Sequence, residues 1–468
     1  MPFRSMFLGP DGRVNPCCAN RTYVYGKYPE ESLHEIWFGE NAKKFREYIL
    51  QNDLSNGCDA CSQNILLKSF DLVAAKPYDQ MLENLDYPSH IDFNLSNICN
   101  LECVMCYGWA SSSIIKNRYG LKAPENPYKE KFLEEIQEFL PHLKSAFYIG
   151  GEPFLIPVFY ELWEATLKIN PACTFFIQTN ATVLNDRIKE LLERGNFFLN
   201  VSIDSLHKDT FESIRANANF EKTMENLDYF IEYSIRKETN INLTVCPLQQ
   251  NMEEIPALVE FANKRNIKLF FNTVLIPHSH SFFGLDRAKI NELIAYYSSF
   301  SFPAKNENHA TRASLVSLIG QMKHFYSNDE YRKKYQEYEL VQIEKLRLAQ
   351  KEQAEVKTQQ NKYKALNQPK ICEFFISEIS NWLRNNGTLH EKESDESRLL
   401  IIQKLKLLEE FEGEATFSDI LCTIYNAVPL PNIVNGLLTK NVKELHESYL
   451  ACKNPLRKSI EQYSNRTI

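Results

Sequence analysis

Short runs of β-branched and aromatic residues alternate with amphipathic segments along the middle of the chain. The runs have the length and composition of strands, and the segments between them repeat their apolar residues near helical spacing. The pattern predicts six strands, at His90–Ser96, Ser145–Ile149, Cys173–Thr179, Phe197–Ile203, Ile241–Cys246 and Ile267–Val274. It predicts helices between them at Lys129–Leu143, Pro157–Ile169, Asp186–Arg194, Glu221–Arg236 and Met252–Arg265.

Strands that alternate with helices form parallel sheets, because each helix returns the chain to the edge at which the strand began. Six such units make either an open doubly wound sheet or an incomplete (β/α) barrel, and the periodicity does not decide between them. Both architectures place their active side chains at the carboxyl ends of the strands. We therefore look for candidate chemistry there.

The regions on either side of this repeat have different patterns. Near the N-terminus, the turn signal Gly9–Gly12 lies between short apolar runs and predicts a hairpin, and a helix is predicted at Ser32–Leu50. The segment Tyr331–Leu366 is rich in Glu, Lys and Gln and predicts a long solvated helix. Three later runs predict a helical region, at Ile371–Leu383, Ser397–Phe411 and Val434–Tyr449.

We therefore predict an α/β protein of three parts. Residues 1–85 form a small α+β domain rich in cysteine, residues 86–305 form the domain of six strand–helix units, and residues 306–468 form a helical extension. A chain of 468 residues is long enough for a barrel-sized core with additional units.

Composition and charge narrow the class of function. The chain is 44% hydrophobic and 24% charged, as in an ordinary globular protein. A net charge of -7 disfavours a nucleic-acid partner, because such partners usually select a basic surface. The N-terminus lacks the apolar core of a signal peptide, and no run is long enough for a membrane span. We expect a cytoplasmic protein without a membrane partner.

Twelve cysteines are many for a reducing compartment, where clustered thiols bind metals or do chemistry more often than they form disulfides. Five of them are isolated in sequence and are predicted to be ordinary buried side chains, namely Cys173, Cys246, Cys372, Cys422 and Cys452. The other seven lie in the first quarter of the chain, at Cys17, Cys18, Cys58, Cys61, Cys99, Cys103 and Cys106.

Cys99, Cys103 and Cys106 follow the first barrel strand with C-x3-C-x2-C spacing. Three thiolates on one loop can bind a single metal centre, and an iron–sulfur cluster is the main alternative to zinc for such a set. Three ligands leave one iron of a 4Fe–4S cluster without a protein ligand. An open position on a metal centre is where a substrate or cofactor binds.

This spacing after a first strand resembles the signature of the radical S-adenosylmethionine (SAM) superfamily. The resemblance implies that residues 86–305 form a partial (β/α)6 barrel, similar to six units of a TIM barrel. The resemblance implies that SAM's methionine moiety chelates the open iron. An electron passed through the cluster would cleave SAM to methionine and a 5'-deoxyadenosyl radical, which abstracts a hydrogen atom from the substrate. It also implies a reducing partner such as flavodoxin or ferredoxin.

Further matches to the family lie at the ends of the next strands. One segment resembles the family's GGEP motif and consists of Gly150, Gly151, Glu152 and Pro153. The resemblance implies that this segment contacts SAM's ammonium group, with glycine allowing a close backbone approach. The third strand ends in Thr179 and Asn180, which are also candidates for binding the cofactor.

Ser202 and Asp204 end the fourth strand in a segment that resembles the family's Ser-Ile-Asp sequence. The resemblance assigns Ser202 to the ribose or carboxylate of SAM, while capping of the next helix is the alternative for both side chains. Arg215 matches the family arginine that pairs with SAM's carboxylate, with a surface salt bridge as the alternative. The family's usual aromatic residue before the third cysteine is replaced by Met105, which can contact adenine through its thioether, as can Tyr107.

The cysteines near the N-terminus form a second pattern, which resembles the Twitch or SPASM auxiliary-cluster unit of radical SAM enzymes. In many relatives this unit follows the barrel, whereas here it precedes it. The resemblance implies an auxiliary iron–sulfur cluster with Cys17, Cys58 and Cys61 as ligands. Either Cys18 is the fourth ligand, or one iron of this cluster has no protein ligand. The alternative to a cluster is a structural zinc site with four cysteine ligands.

Together these features predict a radical SAM enzyme with two clusters. Relatives with auxiliary clusters often modify peptides, so a peptide or protein substrate is favoured here. A small-molecule or sugar substrate is the first alternative, and a non-enzymatic zinc- or cluster-binding regulatory protein is the second. The residues that react directly with the substrate are not identified by sequence.

Overall fold

The computed structural model describes residues 1–66, 68, 70, 73–76, 86–300, 309–327, 329–364 and 439. Their strands are β1 Ser5–Leu8, β2 Arg13–Asn15, β3 Gly26–Lys27, β4 His90–Phe93, β5 Glu102–Cys103, β6 Ser145–Tyr148, β7 Thr174–Thr179, β8 Asn196–Ser202, β9 Arg215–Ala216, β10 Ile241–Val245 and β11 Lys268–Phe271. Their α-helices are α1 Leu33–Phe38, α2 Glu40–Leu50, α3 Asp59–Leu66, α4 Glu130–Glu135, α5 Pro157–Ile169, α6 Asp186–Arg194, α7 Lys208–Ile214, α8 Phe220–Arg236, α9 Ile255–Lys264, α10 Arg287–Ser298, α11 His309–Ser327 and α12 Asp329–Lys364.

All six predicted barrel strands are present, as β4, β6, β7, β8, β10 and β11, each within about three residues of its predicted bounds. They lie side by side in the order in which they occur along the chain, and each neighbouring pair is parallel. A doubly wound sheet reverses its strand order at a switch point, and this sheet does not. The strand order therefore favours the incomplete barrel.

The two faces of this sheet differ in polarity. Along β7 and β8, buried residues alternate with half-buried ones, as expected from the two-residue period of a strand. The buried residues, such as Phe175, Leu199 and Val201, belong to the main hydrophobic core. The opposite face carries Phe176 and Phe198 and, nearer the carboxyl ends of the strands, polar side chains such as Gln178 and Asn200, and we call it the polar face.

The N-terminal hairpin is joined to the barrel sheet. β1 and β2 pair around the predicted turn at Gly12, whose φ is +85°. In addition, β1 pairs in parallel with β4, so the sheet extends to nine strands in the order β11-β10-β8-β7-β6-β4-β1-β2-β3. The chain divides into two compact units, Met1–Gln342 and Ile343–Ile468. The domain boundaries at residues 85 and 305 lie inside the first unit and remain predictions.

Two predicted helices are interrupted. The segment Ser32–Leu50 forms α1 and α2, because Gly39 between them has an extended backbone with ψ of 170°. The segment Lys129–Leu143 begins as α4 and continues as two 3-10 turns, the second of which contains Pro141. Proline lacks the N–H that an α-helix needs in its interior, so the helix does not continue through it.

The helix α11 contacts β11, which is the edge strand of the sheet. The hydroxyl of Thr311 on α11 accepts a hydrogen bond from the N–H of Leu269 on β11, at 3.2 Å. The predicted long helix is present as α12. No helix in the described ranges is both long and apolar enough to span a membrane. The helical runs predicted between residues 371 and 449 lie outside the described residues, apart from position 439.

Candidate functional site

The loop that carries Cys99, Cys103 and Cys106 leaves the carboxyl end of β4. Its middle is held by β5, which pairs with β9, so that Cys103 lies opposite Arg215. The hydroxyl of Ser112 accepts a hydrogen bond from the N–H of Cys99 at 3.2 Å. Cys103 is buried, and the other two cysteines are half-buried. The three residues therefore lie on one structured loop at the predicted strand end.

The three thiols have different electrostatic environments. A hydrogen bond from Cys106 and the charge of Arg215 lower the pKa of Cys103. The same hydrogen bond, together with burial, raises the pKa of Cys106. Burial raises the pKa of Cys99 to about 11. The structure thus brings Cys103 and Cys106 into contact, although within the described residues no group of three or more His, Cys, Asp or Glu side chains forms a metal-binding arrangement.

The glycines of the GGEP segment approach the cysteine loop. The N–H of Gly151 donates to the carbonyl of Ser96 at 3.0 Å, and the next N–H, from Glu152, donates to Ile98 at 2.7 Å. A Cβ on Gly151 would lie 2.0 Å from the carbonyl oxygen of Ile98. Gly150 has a φ of +140°, which other residues rarely adopt. These glycines are therefore required for contact with the loop that carries the cysteines.

Glu152 is completely buried and joins the ends of two strands. Its Oε1 accepts hydrogen bonds from the hydroxyl of Thr179 at 2.7 Å and the N–H of Phe154 at 3.2 Å. Its Oε2 accepts the N–H of Asn180 at 2.7 Å. Burial raises the pKa of Glu152 to about 7, against the opposing effect of these hydrogen bonds. The carboxyl group thus ties β6 to β7, while Pro153 begins the 3-10 turn that follows.

Asn180 contacts the cysteine loop directly. Its Nδ2 lies 3.9 Å from the sulfur of Cys99 and 3.2 Å from the side-chain oxygen of Asn100. Thr179, by contrast, is buried and faces Glu152. Of these two predicted cofactor residues, the structure places Asn180 against the loop and Thr179 behind it.

Asp204 and Arg215 form a buried ion pair beneath the loop. Arg215 Nη2 lies 2.7 Å from Asp204 Oδ2, and Arg215 Nη1 lies 4.0 Å from the sulfur of Cys103. Asp204 Oδ1 accepts the N–H of Cys246 at 2.6 Å. Burial lowers the pKa of Arg215, but the charges of Asp204 and of the nearby cysteines together outweigh it, so the pKa is raised overall. The guanidinium therefore stays charged, and its buried Nε has no hydrogen-bond partner within the described residues.

These contacts correct the structural alternatives for three residues. Arg215 is almost fully buried, so the surface salt bridge is wrong. Helix α7 begins after His207, which makes no capping bond, so Asp204 does not cap it. Ser202 is the last residue of β8, and its hydroxyl accepts a hydrogen bond from Nε2 of Gln178 at 2.8 Å. Capping was therefore the wrong alternative for Ser202 as well.

The polar face contains residues that were missed in the sequence. Nε2 of Gln178 also donates to the hydroxyl of Thr244 at 2.8 Å. Below them, Asn242 donates to Asn200 at 2.8 Å. The two-residue alternation along the strands could have predicted them, because each of these residues occupies a position on the face opposite the core. Asn251 was not predictable in this way, since it is a loop residue whose Nδ2 donates to the carbonyl of Asp204 at 2.7 Å.

Met105 and Tyr107 lie on opposite sides of Cys106 in sequence. Met105 packs against a small apolar cluster of Ile214, Leu248 and Val274. The ring of Tyr107 lies parallel to that of Trp109, with centroids 6.5 Å apart, and its buried hydroxyl has no hydrogen-bond partner within the described residues. Met105 is thus part of an apolar wall at this end of the sheet.

The N-terminal cysteines lie around a second site. Cys17, Cys58 and Cys61 line one cavity of about 130 Å³. Burial raises the pKa of Cys17 to about 11 and also raises that of Cys58. Cys18 does not line this cavity, and its exposed side chain interacts with Asp92 instead. Neighbouring side chains diverge, and the structure separates this pair accordingly.

Both sites offer the donor chemistry that iron–sulfur clusters take. The first offers three cysteines and a buried, charged guanidinium with an unpaired N–H. The second offers three cysteines around one cavity, and its walls include apolar residues such as Pro16, Phe45 and Ile65. Thiolates are the protein ligands that these clusters take, and burial tunes their potentials.

Two protein-family models match the chain. Residues 93–262 match the Radical SAM superfamily, and residues 1–62 match SPASM, an iron–sulfur cluster-binding domain. A GTP 3',8-cyclase of Clostridium perfringens (strain SM101 / Type A) is 27% identical over 243 residues, which are 50% of this chain and 71% of the relative.

Solved structures are more distant. The native structure of anSMEcpe with bound AdoMet aligns with a TM-score of 0.31 and 22% identity, over 39% of this chain and 50% of the other. Streptococcus suis SuiB bound to S-adenosylmethionine aligns with a TM-score of 0.34 and 17% identity, over 56% of this chain and 59% of the SuiB chain. This chain thus spans between half and three-fifths of those two chains.

Proposed function

We propose that this chain, which matches the Radical SAM superfamily and a SPASM iron–sulfur cluster-binding domain, is a radical SAM enzyme that abstracts a hydrogen atom from a peptide or protein. It uses SAM, a 4Fe–4S cluster and an auxiliary iron–sulfur cluster. The observation that carries the assignment of the site is the loop of Cys99, Cys103 and Cys106, held between the GGEP segment and Arg215. When bound, the cluster and SAM supply the chemistry, namely reductive cleavage of SAM and hydrogen abstraction by the 5'-deoxyadenosyl radical.

The chain's own residues hold and orient these groups. Cys99, Cys103 and Cys106 are the proposed cluster ligands. Arg215 is the proposed partner of SAM's carboxylate, because its Nε is buried, charged and unpaired within the described residues. Glu152 holds the cysteine loop through its backbone N–H, and its carboxyl group is the proposed partner of SAM's ammonium.

The remaining candidates lie around this centre. Asn180 contacts the loop beside Cys99, and Ser202 presents its hydroxyl on the polar face next to Gln178. Met105 and Tyr107 are proposed to contact adenine. A reducing partner such as flavodoxin or ferredoxin is proposed to supply the electron.

The polar face supports a peptide substrate. Amide and hydroxyl groups of Gln178, Ser202, Asn200 and Asn242 match the hydrogen-bonding groups of a peptide backbone. Among the described residues of the six barrel strands, Lys268 is the only lysine or arginine in register on this face, and His90 is the one other basic residue there. A triphosphate is usually held by several arginine or lysine side chains. The second candidate, a small-molecule substrate, is favoured by the relatives that are named GTP 3',8-cyclase.

The test is SAM cleavage by anaerobically reconstituted protein with dithionite, measured as 5'-deoxyadenosine. Wild-type protein is expected to form it, and the triple variant with Cys99, Cys103 and Cys106 changed to Ala is expected to form none while staying folded. Cys173→Ala is the matched control, since this isolated cysteine is buried in the core. Product formation by the triple variant would refute the assignment of the cluster site.

The substrate class is tested in the same assay. A pooled library of synthetic peptides and GTP are added separately, and 5'-deoxyadenosine is compared with the level without substrate. We expect stimulation by peptides, with deuterium transferred from labelled peptide into 5'-deoxyadenosine. Stimulation by GTP alone would support the small-molecule candidate instead.

A further inference from the structure

The two cysteine segments of the auxiliary site are far apart in sequence. Cys17 follows β2, whereas Cys58 and Cys61 lie at the start of α3. A cluster that takes ligands from both segments requires them to be held at a constant separation. Asn20 joins these two segments.

Asn20 is buried and donates toward both sulfurs. Its backbone N–H lies 3.3 Å from the sulfur of Cys17, in a turn closed by a bridge between these two residues. Its side-chain Nδ2 lies 3.5 Å from the sulfur of Cys58 and donates to the carbonyl of Asn56 at 2.8 Å. A single residue therefore contacts one cysteine of each segment.

The orientation of the Asn20 amide is determined by its oxygen. Oδ1 accepts the N–H groups of Thr22 at 3.3 Å and Tyr23 at 3.1 Å. Gly57 lies against the same oxygen, since a Cβ there would come within 2.4 Å of it, and its φ is +82°. With the oxygen held in this way, Nδ2 points toward Cys58.

We propose that Asn20 is a positioning residue of the auxiliary iron–sulfur cluster, which holds Cys17 and Cys58 together and donates a hydrogen bond to each sulfur. This inference rests on the assignment of these cysteines to the auxiliary cluster. Hydrogen bonds to ligand sulfurs stabilise the more negative, reduced cluster and raise its reduction potential. Asn20 therefore sets the potential of the auxiliary cluster without being a ligand.

The experiment uses the full chain with Cys99, Cys103 and Cys106 changed to Ala, so that the auxiliary cluster is observed alone. Asn20→Asp keeps an oxygen acceptor for Thr22 and Tyr23 but removes the N–H donor. Asn15→Asp is the matched control, because Asn15 is a buried asparagine of the same hairpin whose Nδ2 donates to the carbonyl of Tyr23. Both variants add one negative charge at a buried position of the N-terminal segment.

Redox titration followed by electron paramagnetic resonance is expected to give a lower potential for Asn20→Asp than for Asn15→Asp. Resonance Raman spectra are expected to show that the shift of the iron–sulfur stretching bands in D2O is smaller in Asn20→Asp. Gly57→Ala displaces the amide without removing it and is expected to lower the potential as well. Loss of the cluster in Asn20→Asp and Gly57→Ala, with retention in Asn15→Asp, would also support the positioning role.

Equal potentials and equal Raman shifts in Asn20→Asp and Asn15→Asp would overturn the inference while leaving the auxiliary cluster in place. A triple-cysteine background that contains zinc and shows no iron–sulfur signal would overturn the inference together with the ligand assignment. The two failures are therefore distinguishable.

Discussion

Cys103 and Arg215 face each other across a short antiparallel pair of strands, and Arg215 Nη1 lies 4.0 Å from the sulfur of Cys103. Asp204 holds the other side of the guanidinium at 2.7 Å. The cysteine loop is thereby joined to the segment that follows the fourth barrel strand. A positive charge next to a ligand sulfur also favours the thiolate that a cluster requires.

Arg215→Lys separates the binding role of Arg215 from its structural role. Lysine keeps a positive charge for Asp204 but loses the planar fork of donors. We expect the affinity for SAM to fall by roughly tenfold or more, as for loss of a charge-assisted hydrogen bond worth about 1.5 to 3 kcal/mol, while the iron content is unchanged. Calorimetry on reconstituted protein measures the affinity.

The control is Arg215→Ala, which leaves Asp204 buried without its partner. The free energy of unfolding is expected to fall by about 3 to 5 kcal/mol in that variant. If Arg215→Lys binds SAM as tightly as the wild type, Arg215 acts through Asp204 alone.

Glu152→Gln tests the buried carboxyl group through pH dependence. The pKa of Glu152 is raised by burial from 4.5 to about 7, so the folded protein binds more protons than the unfolded chain between these values. The free energy of unfolding should therefore decrease as the pH rises through this window, by roughly 3 kcal/mol from this group. Denaturant unfolding at several pH values measures the slope.

Glutamine does not titrate, so Glu152→Gln should lose this part of the pH dependence. Glu164→Gln is the comparison, because Glu164 makes an exposed ion pair with Arg194. Identical slopes in the wild type and Glu152→Gln would show that Glu152 stays in one protonation state over this range.

Gly151→Ala should displace the cysteine loop. The added Cβ would lie 2.0 Å from the carbonyl oxygen of Ile98, which is backbone and cannot rotate away. We expect the iron bound at the barrel site and SAM cleavage both to be lost. Iron analysis and the 5'-deoxyadenosine assay measure these effects.

Gly320→Ala is the matched control, since nothing lies within 4 Å of the Cβ it would add on α11. It should retain iron and gain roughly 0.5 to 1 kcal/mol in stability, as expected when alanine replaces glycine in a helix. Retention of iron in Gly151→Ala would show that the loop tolerates displacement.

Cys17→Ala and Cys18→Ala are adjacent changes with different expected results. Wild-type protein with two 4Fe–4S clusters should contain about eight irons per chain. Cys17 lines the cavity with Cys58 and Cys61, and its removal should reduce the count to about four. Cys18→Ala should keep about eight, and an equal loss in both variants would identify Cys18 as a ligand.

The sequence by itself determined the elements and the cysteine loop. Strand and helix periodicity is a local property, so the six barrel strands were predictable to within a few residues. The spacing of Cys99, Cys103 and Cys106, and the position of Gly150 and Gly151 after the second strand, are also local. These signals were enough to propose the main site without knowledge of how the strands are ordered.

Only the tertiary structure decided which distant residues meet. The pairing of β1 with β4, the ion pair between Asp204 and Arg215, and the contact of Asn20 with Cys58 all join segments that have no common local pattern. The separation of Cys18 from Cys17 was also settled in three dimensions, because only Cys17 faces the cavity. Such contacts arise from packing and from the pairing of buried polar groups, which depend on the whole fold rather than on neighbouring residues.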